Sequence, residues 1–174
     1  MIDIDRKECT DMVKFERVRT ESDWDLLAEK AGEVWREYFP RILAKDEIEY
    51  MIDKFQSPRA FAEQKKEGYE YYFIEADGAV GGYVGIKFYD DHLYLSKFYI
   101  LKEYRSKGYG RKAFEFLKRK ALKAGLHKIS LNVNKYNEPT IAVYEKLGFR
   151  RVGADVKDIG DGYVMDDFNY EAEF

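Results

Sequence analysis

The chain has 174 residues, 45% of them hydrophobic and 36% charged, with 30 Lys and Arg against 33 Asp and Glu. A single domain of about 100–200 residues accommodates this length without a disulfide or metal staple, and the apolar share excludes disorder. A net charge of −3 is no nucleic-acid footprint, one cysteine excludes a disulfide framework or a multi-cysteine zinc site, and two scattered histidines supply no His-rich metal centre.

No apolar run reaches the roughly 18 residues of a membrane span. The opening Met1-Ile2-Asp3-Ile4-Asp5 carries early acids and no apolar core, so it is no secretory signal. The expectation is a cytoplasmic protein with no membrane or nucleic-acid partner and no metal. Residues 1–174 read as one domain and residues 1–11 as a loose arm that holds Cys9.

Residues 13–19 alternate apolar and polar side chains and predict a strand. Ser22 offers an N-cap, with Asp23 and Asp25 in the first turn. Trp24, Leu27, Ala28, Ala31, Val34, Trp35 and Tyr38 then form the apolar stripe of a helix that Pro40 ends. Asp46 opens a second helix with Ile48, Met51, Ile52 and Phe55 on one side, and Ser57-Pro58 caps a third that stops at Gly68.

The period then changes to two. Residues 69–76 and 80–88 predict strands joined by a hairpin turn at Asp77-Gly78, and residues 92–101 a third after the turn Asp90-Asp91. A glycine loop leads into a helix over about residues 108–124, ended by Gly125. A short strand at 129–133, a helix at 137–147 closed by Gly148, and strands near 149–156 and 163–174 complete the chain. This is an α/β (α+β) chain with a mixed sheet and helices packed on it.

The loop Glu103-Tyr104-Arg105-Ser106-Lys107-Gly108-Tyr109-Gly110-Arg111-Lys112 joins a strand to a helix. Its glycines allow a sharp turn and close approach to a ligand. Helix starts favour acids, yet here Arg105, Lys107, Arg111 and Lys112 crowd the positive end, at about 0.3–1 kcal/mol each. A bound anion turns that cost into a gain. The alternative is a solvated basic turn. A phosphate loop of the Walker type needs a hydroxyl after Gly-Lys, and Arg111-Lys112-Ala113 has none. A dinucleotide fingerprint fits loosely through Ala113, but the preceding strands are hairpin-linked rather than βαβ.

Arg105-x-x-Gly108-x-Gly110 resembles the acetyl-CoA pyrophosphate loop of the GCN5-related N-acetyltransferase (GNAT) superfamily. Asn137-Glu138-Pro139-Thr140-Ile141-Ala142-Val143-Tyr144-Glu145-Lys146-Leu147-Gly148-Phe149 resembles that family's second signature, a helix and a short strand further on. The segment from Ile159 to Asp167 and the Phe39-Pro40 region are similar, more loosely, to the polyamine-acetylating PaiA-like branch.

The resemblance implies a seven-stranded mixed sheet flanked by helices, acetyl-CoA as cosubstrate and an N-acetyltransferase reaction on a primary amine of a small molecule or peptide. Phe98, Tyr99 and Ile100 would pair by backbone with the pantetheine arm and polarise the thioester carbonyl. Arg105, Ser106, Lys107, Gly108, Tyr109, Gly110 and Arg111 would hold the pyrophosphate. Asn137 would bond the pantetheine arm and Tyr144 would protonate the leaving thiolate. The seven-residue spacing of the last two places them on one helix face; Asn137 also suits an N-cap and Tyr144 a core aromatic. By the same analogy Trp35, Tyr38 and Phe39 line the acceptor site. A CoA-binding module without turnover is the alternative, and the retained Tyr144 weighs against it.

A lysine-like amine is neutral in about one molecule in a thousand near pH 7.4, a handicap of roughly 4 kcal/mol that a base or desolvation must offset. No residue declares itself as that base; Glu75, Asp90 and Asp91 read as turn or surface groups. Asp155, Asp158, Asp161, Asp166, Asp167, Glu171 and Glu173 stand against Lys157 alone in the tail, an acidic rim that attracts a cation or merely solvates an edge. The 12 Phe, 15 Tyr and 2 Trp predict a homodimer, since aromatics are enriched at interfaces.

Overall fold

The computed structural model describes residues 13–174, so the expected N-terminal arm and Cys9 lie outside the described residues. Strand β1 (Lys14–Arg17) is followed by α1 (Glu21–Tyr38), α2 (Lys45–Gln56) and α3 (Pro58–Lys66). The antiparallel strands β2 (Tyr69–Ala76), β3 (Ala79–Phe88) and β4 (Leu93–Ile100) come next. Then α4 (Tyr109–Lys123), β5 (Lys128–Asn134), α5 (Glu138–Lys146), β6 (Arg150–Gly160) and β7 (Tyr163–Glu173) complete the fold. The strands form one seven-stranded sheet in the order β1-β2-β3-β4-β5-β7-β6, as the resemblance implies. Among the described strands, only β4 and β5 pair in parallel.

The N-cap of α1 is Thr20, not Ser22. Thr20 Oγ1 accepts from the Asp23 N–H at 3.2 Å, and the Asp23 carboxylate accepts from the Thr20 N–H at 2.9 Å. This reciprocal box satisfies two otherwise unpaired donors, so the helix starts earlier than Ser22 suggests. Ser57 caps α3 as expected, its hydroxyl accepting from the Ala60 N–H. The Asp77-Gly78 turn has positive φ at both residues, the geometry of a tight hairpin.

One core lies under α4, where Ala113, Leu117 and Ala121 meet Ile86, Leu95, Ile129 and Leu131. The other lies under α1–α3, where Leu27, Val34, Trp35 and Phe61 meet Tyr71, Phe73 and Tyr83. The sheet is thus covered on both faces. The aromatic surplus behind the expected dimer is mostly taken up inside: among exposed large hydrophobics of the described residues, only Tyr89 and Tyr136 are aromatic. No helix among the described residues is long and apolar enough to cross a membrane.

Candidate active site

The site begins as a fault in the sheet. Strands β4 and β5 pair only from Leu93–Ile129 to Leu95–Leu131. Beyond that point β4 stays with β3 as far as Ile100, and β5 stays with β7 as far as Asn134. The facing edges carry backbone groups with no strand between them, and a cleft of about 1240 Å³ opens there. A bulge helps to part them. Gly85 faces Lys97 and Ile86 faces Leu95, so Ser96 has no partner on β3. The extra residue reverses the alternation. Leu93 and Leu95 belong to the core under α4, whereas Tyr99 packs under α1–α3 and Lys97 is carried inside with it.

The glycine loop stands at one end of the cleft. Ser106 and Gly108 take φ of 61° and 81°. Gly108 is the N-cap of α4, gives no side-chain cap, and no acid follows in the first turn. First-turn donors such as the Gly110 and Arg111 N–H groups therefore have no acceptor within the helix, at the positive end of its dipole. Ser106, Gly108, Gly110 and Arg111 all line the cleft. Tyr109 does not: it is buried in the fold, its hydroxyl 3.5 Å from Asp77. Lys107 lies over the Tyr104 ring at 5.6 Å. The Arg105 guanidinium is engaged within the protein, donating to Ile100 O at 2.9 Å and to Glu37 at 2.6 Å. That contact holds the Glu37 carboxyl below the usual carboxylate range. Arg105 thus fastens the loop to β4 and to the end of α1.

The opposite wall is the start of α5. Asn137 occupies the N-cap position but its side chain caps nothing. Instead its Oδ1 accepts from the Tyr38 hydroxyl at 2.7 Å, and Thr140 Oγ1 lies 3.2 Å from that Tyr38 hydroxyl. Tyr38 thereby spans from α1 to α5. Tyr144 lies further along α5, buried against Phe149, and its hydroxyl makes no hydrogen bond with a described residue. Burial pushes its pKa well up, so the phenol stays protonated at any physiological pH. Phe98, Tyr99 and Ile100 line the cleft on β4. Trp35 stacks on Phe39 at 4.2 Å and meets the Tyr99 edge at 5.9 Å. Its buried indole N–H points towards the Tyr83 and Tyr99 hydroxyls without reaching a full hydrogen bond. The expected cofactor and acceptor residues, except Tyr109 and Lys107, therefore meet in one cleft.

The far end is closed by the β6–β7 hairpin. Its tip is held by α2: Tyr50 donates to Ile159 O at 2.6 Å, Lys54 donates to the same oxygen, and Tyr163 donates to Asp46 at 2.8 Å. The tail acids divide. Asp166 pairs with Lys135, Glu171 with Lys128, and Asp158 accepts from the Gly160 N–H. Asp155 and Asp167 line the cleft. Of the acids read as turn or surface groups, Asp91 is bound to His92 and Lys128, and Glu75 is a cross-strand neighbour of Lys14.

Lys97, Gln64, Tyr94 and Glu37 are not singled out by the sequence reading. Lys97 is 7% exposed, and its ammonium donates to Gln64 Oε1 at 2.6 Å and Tyr71 Oη at 2.9 Å. Burial lowers its pKa to about 7. A lysine amid the apolar and aromatic residues of β4 is the signal that could have found it. No group of three or more His, Cys, Asp or Glu among the described residues is placed to hold a metal ion.

Comparison with known proteins gives the same picture. A 26% identical relative is an uncharacterized N-acetyltransferase encoded in the pepI 3′ region of Lactobacillus delbrueckii subsp. lactis; the match covers 75% of this chain and 83% of that protein. The PaiA N-acetyltransferase of Thermoplasma acidophilum, solved in complex with coenzyme A, superimposes with a TM-score of 0.74 at 23% identity, over 94% of this chain and 99% of that one. The ribosomal-protein-S18-alanine N-acetyltransferase of Escherichia coli gives 0.69 at 18% identity, over 93% and 94%. At these identities the likeness is one of fold. The profile of the acetyltransferase (GNAT) family matches residues 25–149, from α1 through the glycine loop to the end of the α5 signature, and the chain belongs to that family.

Proposed function

We propose that the protein transfers the acetyl group of acetyl-CoA to a primary amine of a small molecule or peptide, by direct attack within a ternary complex. The observation that carries this reading is the unzipped β4–β5 seam, which ends on a helix start with uncapped donors. The diphosphate would lie on the N–H groups at 106–111, and the pantetheine arm would add to the free edge of β4 at 98–100. A backbone N–H on that edge would support the oxyanion of the tetrahedral intermediate.

Tyr144 would give its proton to the departing sulfur. Even an unperturbed phenol is a weaker acid than the thiol by about 1.5 pKa units, and burial widens the gap for Tyr144, so full transfer is uphill and a hydrogen bond to the developing thiolate carries most of the effect. Its unoccupied hydroxyl suits that task. Asn137 would exchange the Tyr38 hydroxyl for the pantetheine amide, so cofactor entry releases Tyr38 at the mouth of the acceptor site. Polyamines are among the acceptors that the loose resemblance to the PaiA branch suggests, and the Asp155 and Asp167 carboxylates support a cationic one.

The test is release of free thiol from acetyl-CoA with a panel of polyamines, alkylamines, amino acids, aminoglycosides and peptide N-termini. Turnover with a primary amine is the expected result. Tight CoA binding by calorimetry without turnover on the panel would instead identify a CoA-binding module.

A further inference from the structure

The transfer still requires a group that accepts the amine's proton. Lys97 lines the cleft, but its ammonium is committed as a donor to Gln64 and Tyr71. Tyr94 is a phenol that burial pushes up to about 12. Asp167 differs from both. Asp166 sends its carboxylate to Lys135, so the next residue along β7 presents its side chain to the opposite face, where the cleft lies. Asn134 on β5 and Asp155 on β6 are its cross-strand neighbours. Its carboxylate is half-buried yet makes no ion pair or hydrogen bond with any described residue.

We propose that Asp167 receives the acceptor's ammonium group and removes its proton, an inference that rests on the acetyl-transfer reading above. Burial, reinforced by the charges of Asp166 and Asp155, raises its pKa to about 6. The ionisable groups facing it are Tyr94 and Tyr99 on β4, Asp155 on β6 and Asp166 beside it. Lys157 on β6 and Lys146 on α5 line the same cleft without pairing with it.

At neutral pH the carboxylate is ionised and attracts the cation. Transfer from a free ammonium to such a carboxylate is uphill by about 4 pKa units. An ammonium nitrogen has no lone pair, so this first proton passes to Asp167 before the N–C bond forms, in an uphill pre-equilibrium that the attack draws forward; the nitrogen's second proton becomes acidic only once the bond has formed. The nitrogen starts with three protons. One goes to Asp167 and then to water; one ends on the sulfur, relayed by the Tyr144 hydroxyl as the C–S bond breaks; one stays in the amide. The sum is ammonium plus acetyl-CoA giving the acetamide, CoA thiol and one released proton.

The experiment compares two acceptors, n-butylamine and 2,2,2-trifluoroethylamine; the second is already neutral at pH 7.5 and needs no base. For wild type with butylamine, kcat/KM should rise through pH 6 as Asp167 ionises. Asp167→Asn should lower kcat/KM for butylamine by about 10²–10³-fold and remove that limb. It should lower the value for trifluoroethylamine less than about tenfold, and Asp167→Glu should recover part of the loss. Circular-dichroism melting of both variants checks that they fold. Equal losses for the two amines, or an unchanged limb in Asp167→Asn, would overturn the proposal. Wild type that acetylates neither these amines nor any of the panel would sink the transfer reading itself, and this inference with it.

Discussion

Lys97 brings a positive charge to a place that solvates it poorly. Its folded pKa of about 7 lies below the 10.5 of the unfolded chain. Between those values the unfolded state binds more protons, so this residue's cost is full below pH 7 and fades as pH rises towards 10.5. Tyr71 already donates to Gln64, so removing the ammonium leaves both satisfied. Lys97→Met should therefore stabilise the protein by roughly 2–4 kcal/mol at pH 6 and by almost nothing at pH 10.5. Urea unfolding at the two pH values measures it, and an equal gain at both would contradict the burial argument. Tyr144→Phe keeps the ring against Phe149 and removes only the hydroxyl. Under the proposed transfer, kcat should fall about 10²–10³-fold with little change in the KM for acetyl-CoA, read from steady-state kinetics. Single residues of this kind are partly legible in sequence. The glycines, Asn137 and Tyr144 stand in recognisable strings. The bond between Tyr38 and Asn137 joins positions 99 apart and depends on the end of α1 and the start of α5 meeting at the cleft.

At the scale of an element, the start of α4 is the most informative piece. Gly108 holds a φ of 81° with nothing within 4 Å of an added Cβ, so the demand there is on backbone conformation alone. Gly108→Ala should cost about 1 kcal/mol in thermal or urea unfolding. Gly110 is different. A Cβ there meets Ile100 and Phe98 at 3.8 and 3.9 Å, ordinary contact distances without backbone strain. Gly110→Val should therefore stay folded, while its branches project towards the β4 wall. Calorimetry should show weaker CoA binding by about tenfold or more if the diphosphate needs that close approach. Unchanged CoA affinity in folded Gly110→Val would misplace the loop's role. The Ser96 bulge shows where sequence reading stops. Residues 92–101 read as one strand, and the alternation gives no hint that it reverses midway. The extra residue is defined only against β3, by the Gly85 and Ile86 partners. The positions of Lys97 and Tyr99 follow from that pairing.

For the whole molecule, the strand and helix order was legible because turn glycines, caps and period changes mark nearly every boundary. The proposed acceptor end was legible only in part: Trp35, Tyr38 and Phe39 were expected there, but the rest of that wall comes from α2, β4, β6 and β7, and the tail acids are sorted by strand alternation and by distant lysines. The β4–β5 seam has a consequence for thermal behaviour. The sheet's two parts, β1–β4 and β5-β7-β6, are joined by only a short parallel ladder between Leu93–Leu95 and Ile129–Leu131. A molecule lying in the gap would act as a missing strand and bind the folded state alone. Saturating CoA at about 100 times its Kd should then raise unfolding free energy by about 2.7 kcal/mol, with the midpoint climbing as the logarithm of concentration. Amides of β4 and β5 beside the gap should gain hydrogen-exchange protection together, while those of β1 and β2 change little. In that sense the protein would be finished by its cosubstrate: the sheet is one mended surface when loaded, and two leaves on a short hinge when empty.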